Sequence, residues 1–186
     1  MQLHQAIYKI EKTLSQKWCK NLIKYMDVQC TEKAKVLIDG KDVEDTSQRN
    51  VYTHGLDPEN PNDEIYIKYL LSVMNNSLKS YSKIFSYLRQ CSPQDISLLK
   101  YKKGSFYKTH VDSVHTVNRQ LSFIINLNEE YTGGDVVFYH PHTTEPYSKV
   151  SLKQGDLLMF PSNFLYPHSV TEITKGVRYS CVSWYS

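Results

Sequence analysis

A chain of 186 residues, 40% hydrophobic and 22% charged, is long enough to bury the core of one domain without disulfide or metal staples. The net charge of +3 is too mild to argue for nucleic-acid binding by itself, and no run approaches the roughly 18 apolar residues of a membrane-spanning helix. Tyrosine is over-represented at 15 residues, which suits half-buried strands and pocket walls where a ring packs and a hydroxyl finds a partner.

The opening MQLHQAIYKIEK lacks the basic-then-apolar layout of a secretory signal, so a soluble, cytoplasmic protein is expected. Residues 6–14 alternate loosely and predict a first strand. Ser15 stands where a helix N-cap belongs, with Trp18, Leu22 and Met26 following at helical spacing. Residues 39–63 are polar and turn-rich, and read either as a solvated connector or as a mobile flap over a site. Pro61 and Asn62 signal a helix start, and Ile67, Leu70, Leu71, Met74 and Leu78 predict a helix over 63–81 whose stripe packs the core. Cys19, Cys30, Cys91 and Cys181 show no metal-like spacing and are expected as reduced, mostly buried thiols.

After Pro93 the pattern turns to β. Short apolar runs at 119–127, 133–140, 149–161 and 176–186, separated by Gly, Pro and polar turns, predict a sandwich or barrel. The expected organisation is a single domain over 1–186. Residues 1–92 supply helical support with the flexible 39–63 loop, and 93–186 form a β jelly-roll holding the site.

Within that half, His110-Val111-Asp112 places an imidazole and a carboxylate two residues apart, on one face if the segment is a strand. The pair alone is a weak signal. A second histidine makes it the two-histidine, one-carboxylate set that leaves positions open on iron(II), and His168 follows the apolar segment Leu157–Phe160 after a Pro-Ser break. Ten residues on, Arg178 shares a strand face with Ser180, Val182 and Trp184. An isolated arginine there reads first as a structural salt bridge. Behind His168 it reads instead as a bidentate seat for a carboxylate.

These residues carry a resemblance. Tyr101-x-x-Gly104-x-x-Tyr107-x-x-His110-x-Asp112, Arg119-x-Leu121-Ser122, Gly133-Gly134-Asp135, Gly155-Asp156 and His168-x9-Arg178 resemble the 2-oxoglutarate/iron(II) oxygenases. Among these the similarity is to the prolyl 4-hydroxylase group, including compact microbial and viral members, over roughly residues 93–186. The resemblance implies a mainly β protein: a double-stranded β-helix of the jelly-roll, cupin-like kind, with N-terminal helices packed outside. It implies that His110, Asp112 and His168 hold iron and that Arg178 takes the distal carboxylate of 2-oxoglutarate, where many prolyl hydroxylases have lysine. Tyr101 matches a tyrosine on that same carboxylate. Ser122 and Asn126 share a strand face that lines the pocket, and Tyr107 and Trp184 match aromatic positions near metal and substrate, with core packing an equal reading. The implied cofactors are Fe(II), 2-oxoglutarate and O2, with ascorbate in support. The implied partner is a proline-containing peptide or protein.

A free amino acid or small molecule is the main rival substrate. Nucleobase demethylation is disfavoured, because a second arginine expected six residues beyond the first is Trp184 here. A jelly-roll module that keeps a metal without catalysis is the non-enzyme alternative. His115 reads as a loop residue at the site mouth, His140-Pro141-His142 as a strand exit, and Lys100, Lys102, Lys103 and Lys108 as a solvated basic face or an attractor of anions.

Overall fold

Alternation in the second half and amphipathic helices in the first are what the chain folds on. The computed structural model describes residues 2–38, 40–86, 88, 91–114 and 117–186. The first half forms β1 (Tyr8–Ile10), α1 (Gln16–Gln29), β2 (Glu32–Lys33), β3 (Val36–Ile38), β4 (Lys41–Val43), β5 (Tyr52–Gly55) and α2 (Pro61–Ile84). Then come β6 (Pro93–Tyr101), β7 (Tyr107–His110), β8 (Leu121–Asn126), β9 (Tyr131–Thr132), β10 (Val136–Tyr139) and β11 (Pro146–Val150). The chain continues with β12 (Leu157–Pro161), β13 (His168–Val170), β14 (Lys175–Gly176) and β15 (Arg178–Tyr185). Strand takes 37% of residues and helix 23%, the mainly β balance expected.

A larger sheet runs β1-β12-β8-β15-β6-β5-β2 and a smaller one β11-β10-β13-β7, with antiparallel neighbours. The two enclose one core, where Val136, Phe138 and Val170 of the smaller sheet meet Leu99, Ile124, Leu158 and Val182 of the larger. The larger sheet's other face takes the helices: Leu22 and Met26 of α1 and Leu70 and Met74 of α2 pack against Leu98, Phe123, Ile125 and Cys181. Because β8 is covered on both faces, all six of its residues are buried and it reads as an almost unbroken apolar run. A one-residue slip would exchange the helix-facing and pocket-facing sets.

Both helix starts follow from local chemistry. The Ser15 side chain accepts from the Trp18 amide, and Asn60 caps α2 with Pro61 in its first turn. Asn60, not Asn62, is the cap, so α2 starts two residues earlier than the apolar stripe alone predicts and runs on to Ile84.

The 39–63 segment is not the plain loop its composition suggests. Lys41–Val43 pairs with Val36–Ile38 around Gly40, whose φ of 74° is one that glycine adopts freely. Tyr52–Gly55 joins the larger sheet beside β6. The polar residues that mask these strands face solvent on β4, so the hairpin lacks an alternating apolar signature. Asp39 lies outside the described residues. The first ninety residues thus supply sheet edges as well as helices.

Candidate active site

The two histidines meet because β13 pairs antiparallel with β7 in a register that sets His168 directly opposite His110. Their ring centroids are 4.2 Å apart. His110 Nδ1 donates to the Lys108 carbonyl at 2.9 Å and His168 Nδ1 to the Tyr166 carbonyl at 3.1 Å. A carbonyl only accepts, so each Nδ1 carries the proton and each Nε2 keeps a lone pair for a metal.

Asp112 completes the cluster by a different route from the one the spacing suggests. β7 ends at His110, and Asp112 lies in the bend beyond it. The bend is tied down from outside: the Ser113 amide donates to the Ser162 carbonyl, and the Ser122 hydroxyl donates to Asp112 Oδ2 at 2.6 Å. Ser162 Oγ sits 2.8 Å from Ser122 Oγ and supplies the next hydrogen bond in the chain. Asp112 Oδ1 is 3.5 Å from His110 Nε2, and Oδ2 is 3.6 Å from His168 Nε2. One ligand atom from each of the three residues lies within 4.8 Å of the others, the single such group among the described residues. Among the described residues the His140–His142 pair forms no part of a comparable cluster.

Electrostatics agree with the geometry. Burial alone would raise the Asp112 carboxyl, but His168, His110 and Ser122 outweigh it and hold the group well below the usual carboxylate range. Burial, reinforced by His110, lowers His168 to about 4, with Asp112 opposing. Burial also depresses the Arg119 guanidinium; Arg49 adds to that, while Asp112 and Asp95 oppose it.

Arg178 opens β15 opposite Tyr101 on β6 and is 1% exposed. Its guanidinium lies over the Tyr101 ring at 5.0 Å, and its Nε donates to Asn126 Oδ1 at 3.1 Å. The Tyr131 hydroxyl donates to the same oxygen at 3.1 Å, and Asn126 Nδ2 donates to the carbonyls of Asn128 and Leu152. A Cβ on Gly134 would come 2.7 Å from Arg178 Cδ, so glycine there makes room for the arginine stem. Arg178 Nη2 is buried with no partner, and no carboxylate pairs with the group among the described residues. The salt-bridge reading of Arg178 therefore has no acid to support it. A buried, incompletely bonded guanidinium is what a site for an anionic ligand requires.

A cavity of about 690 Å³ opens on this assembly, lined by the three candidate ligands together with Tyr101, Tyr107, Ser122 and Trp184. Tyr107 stacks on His110 with ring centroids 3.5 Å apart, and burial pushes its hydroxyl up to about 12. Of the residues expected to line the pocket, Ser122 does so while holding Asp112, whereas Asn126 lies behind Arg178 and orients it. Arg178 itself does not line the cavity; the Tyr101 ring beneath it does. The four-lysine face is divided: Lys100 pairs with Asp27, Lys102 sits over the Tyr52 ring, and Lys108 reaches the cavity. His115 lies outside the described residues. Arg49 and Arg119, assigned no role from sequence, also line the cavity. Their stacking on Tyr107 and Trp184 left no trace in spacing.

Two expectations follow. Ser122→Ala should weaken divalent-metal affinity by about 10- to 100-fold, as loss of a hydrogen bond to a ligand typically does. Calorimetric titration with Mn(II) checks this, and an unchanged affinity would show that Oδ2 does not need the hydroxyl. The second concerns pH. With its folded pKa below its unfolded value, His168 contributes stability that is complete above about pH 6.5 and lost as pH falls toward 4. Urea melts of chelator-treated protein should show the wild type losing on the order of 3 kcal/mol more than His168→Gln across that window. Parallel pH profiles would remove His168 as the cause.

Residues 96–186 match the family model of the 2OG-Fe(II) oxygenase superfamily. Over 116 residues the chain is 28% identical to a PKHD-type hydroxylase of Idiomarina loihiensis, covering 60% of this chain and 51% of that protein. The chain thus spans about half the length of that curated relative. A Trichoplax adhaerens prolyl hydroxylase, solved in complex with a hypoxia inducible factor oxygen degradation domain peptide fragment, superposes with a TM-score of 0.75 at 21% identity, covering 97% of this chain and 83% of that one. A Pseudomonas putida prolyl-4-hydroxylase gives a TM-score of 0.71 at 18% identity, with 97% and 91% covered. At these identities the structural likeness is one of fold, the jelly-roll expected from the sequence.

Proposed function

Residues 96–186 belong to the 2OG-Fe(II) oxygenase superfamily, and from that premise we propose that the chain is an iron(II)- and 2-oxoglutarate-dependent dioxygenase that hydroxylates a C–H bond of a peptidyl proline. The observation that carries the reading is the convergence of His110, Asp112 and His168 at the wall of one cavity, with both Nε2 atoms free to ligate. When bound there, iron(II) with 2-oxoglutarate supplies the oxidising power to insert one atom of O2 into the substrate, with succinate and CO2 as co-products.

The chain's own residues do the positioning. His110, Asp112 and His168 would hold the metal and leave its remaining positions to other ligands. Ser122 holds Asp112 in place. Arg178, fixed through Nε by Asn126, takes the distal carboxylate of 2-oxoglutarate on its free N–H groups, with Tyr101 beside it. Ser122 at the metal end and Asn126 at the arginine end are four residues apart on β8, about 13 Å. An arginine side chain and a five-carbon dicarboxylate together bridge such a gap. Leu99, Ile124 and Val182 keep the intervening wall apolar and exclude water. The structural likeness to prolyl hydroxylases supports the choice of peptidyl proline.

The test is succinate formation from 2-oxoglutarate with iron(II), ascorbate and O2, with and without proline-containing peptides. The expected result is turnover that a peptide accelerates, with one oxygen gained on proline. Turnover that no peptide stimulates would remove the prolyl substrate and keep the oxygenase. Absence of turnover and of iron binding would sink both.

A further inference from the structure

Two guanidinium groups stand in the cavity wall near the candidate metal ligands, and among the described residues neither forms a direct ion pair with a carboxylate. Arg49 lies over the Tyr107 ring at 4.6 Å and Arg119 over the Trp184 ring at 3.6 Å. Tyr107 is the residue stacked on His110, so the first cation is built onto the candidate metal centre. Stacking fixes the flat face of a guanidinium and leaves its N–H edge for a ligand. Arg49 donates from Nη1 to the Lys35 carbonyl at 3.1 Å, while its Nε is buried without a partner among the described residues. Arg119 makes two long hydrogen bonds, to Gln94 Oε1 and to the Asp112 carbonyl, both 3.4 Å.

Asp42, Asp45 and Asp95 also line the cavity, yet none forms an ion pair with either arginine among the described residues. Asp45 is already engaged by the Ser47 amide and hydroxyl. Asp112 and Asp95 attract Arg119 without pairing with it, and Arg49 repels it. Two like charges in a partly desolvated wall are relieved by an anion that reaches both.

We propose that Arg49 and Arg119 form the subsite for a carboxylate on the substrate, so that the C–H bond to be hydroxylated is presented beside an acidic group. This rests on the oxygenase reading above and deepens it. The carboxylate has two available sources: an aspartate or glutamate next to the target residue in a peptide, or the α-carboxylate of a free or C-terminal amino acid.

Two matched pairs separate the sources: a capped peptide with aspartate beside proline against its asparagine counterpart, and N-acetylproline against N-acetylprolinamide. Binding is measured by calorimetry on the full chain loaded with Mn(II) and 2-oxoglutarate without O2. In at least one pair the acid should bind about ten-fold more tightly than the amide, the effect of one charge-assisted contact. That pair names the source. The preference should fall below two-fold in Arg49→Gln and in Arg119→Gln, persist in part in Arg49→Lys, and shrink as salt is raised. Equal binding of acid and amide in both pairs, no binding of either acid at millimolar concentration, or a preference surviving in either glutamine variant would overturn the subsite. Succinate formation by the same protein, reloaded with iron(II) and given O2, keeps the two readings apart. Turnover without acid preference sinks the subsite alone, and acid preference without turnover sinks the oxygenase.

Discussion

Replacing Arg178 with methionine is expected to weaken 2-oxoglutarate binding about 100-fold while leaving the ligand-free protein at least as stable as before. The first half follows from lost charge-assisted hydrogen bonds to a carboxylate, worth roughly 3 kcal/mol in a buried setting. The second follows from what the guanidinium lacks. It is 1% exposed, its Nη2 has no partner, and no acid among the described residues offsets its charge. Such a group is a net burden on the fold until a ligand arrives. Methionine fills the space of the stem with apolar atoms, and Asn126 Oδ1 is not orphaned, since the Tyr131 hydroxyl still donates to it. Calorimetry with 2-oxoglutarate and thermal melts without it measure the two halves separately. A melting point several degrees lower, with little change in co-substrate affinity, would mean that Arg178 serves packing. The opposite signs are what distinguish a binding residue from a structural one.

The same contrast marks how far the sequence could be read. Spacing singled out His168 and Arg178 as candidates because both sit where a new strand begins after a break, a position that local patterning identifies. It gave the right face for Ser122 and Asn126, since alternation along β8 is strict. It did not give their depth along the strand, which decides that one holds a candidate metal ligand and the other holds the arginine. The register that sets His168 opposite His110 is a tertiary fact with no local signal. Asp112 fell in the site for a reason other than strand periodicity, because hydrogen bonds from Ser122 and Ser113 shape the bend that carries it. Arg49 was hidden by a segment whose polar residues look like a linker. Its place in the wall is set by pairing with β7, including a bridge between Arg49 and Tyr107, which only the folded chain contains.

Asp112→Ala should cost the metal site about 100- to 1,000-fold in affinity, the share of one ligand among the few that together give structural sites their roughly 10–16 kcal/mol. Asp112 is the one carboxylate of the set, and the other two are imidazoles whose Nδ1 protons are committed to carbonyls. Asp112→Asn refines the test. It keeps the shape and an oxygen to accept the Ser122 hydroxyl but removes the charge, so a comparable loss of metal would assign the effect to the carboxylate. The metal-free proteins carry a second signature. Since His168, His110 and Ser122 hold the Asp112 carboxyl below its unfolded value despite burial, its ionisation stabilises the fold above about pH 4, and that contribution fades as pH falls further. Wild type should therefore exceed Asp112→Asn in apo stability at pH 7, and the gap should begin to narrow only below about pH 4 in denaturant melts. An Asp112→Asn protein that binds Mn(II) within ten-fold of wild type would show that the carboxylate is not a ligand. The three-residue centre, and the oxygenase chemistry built on it, would fall with that result.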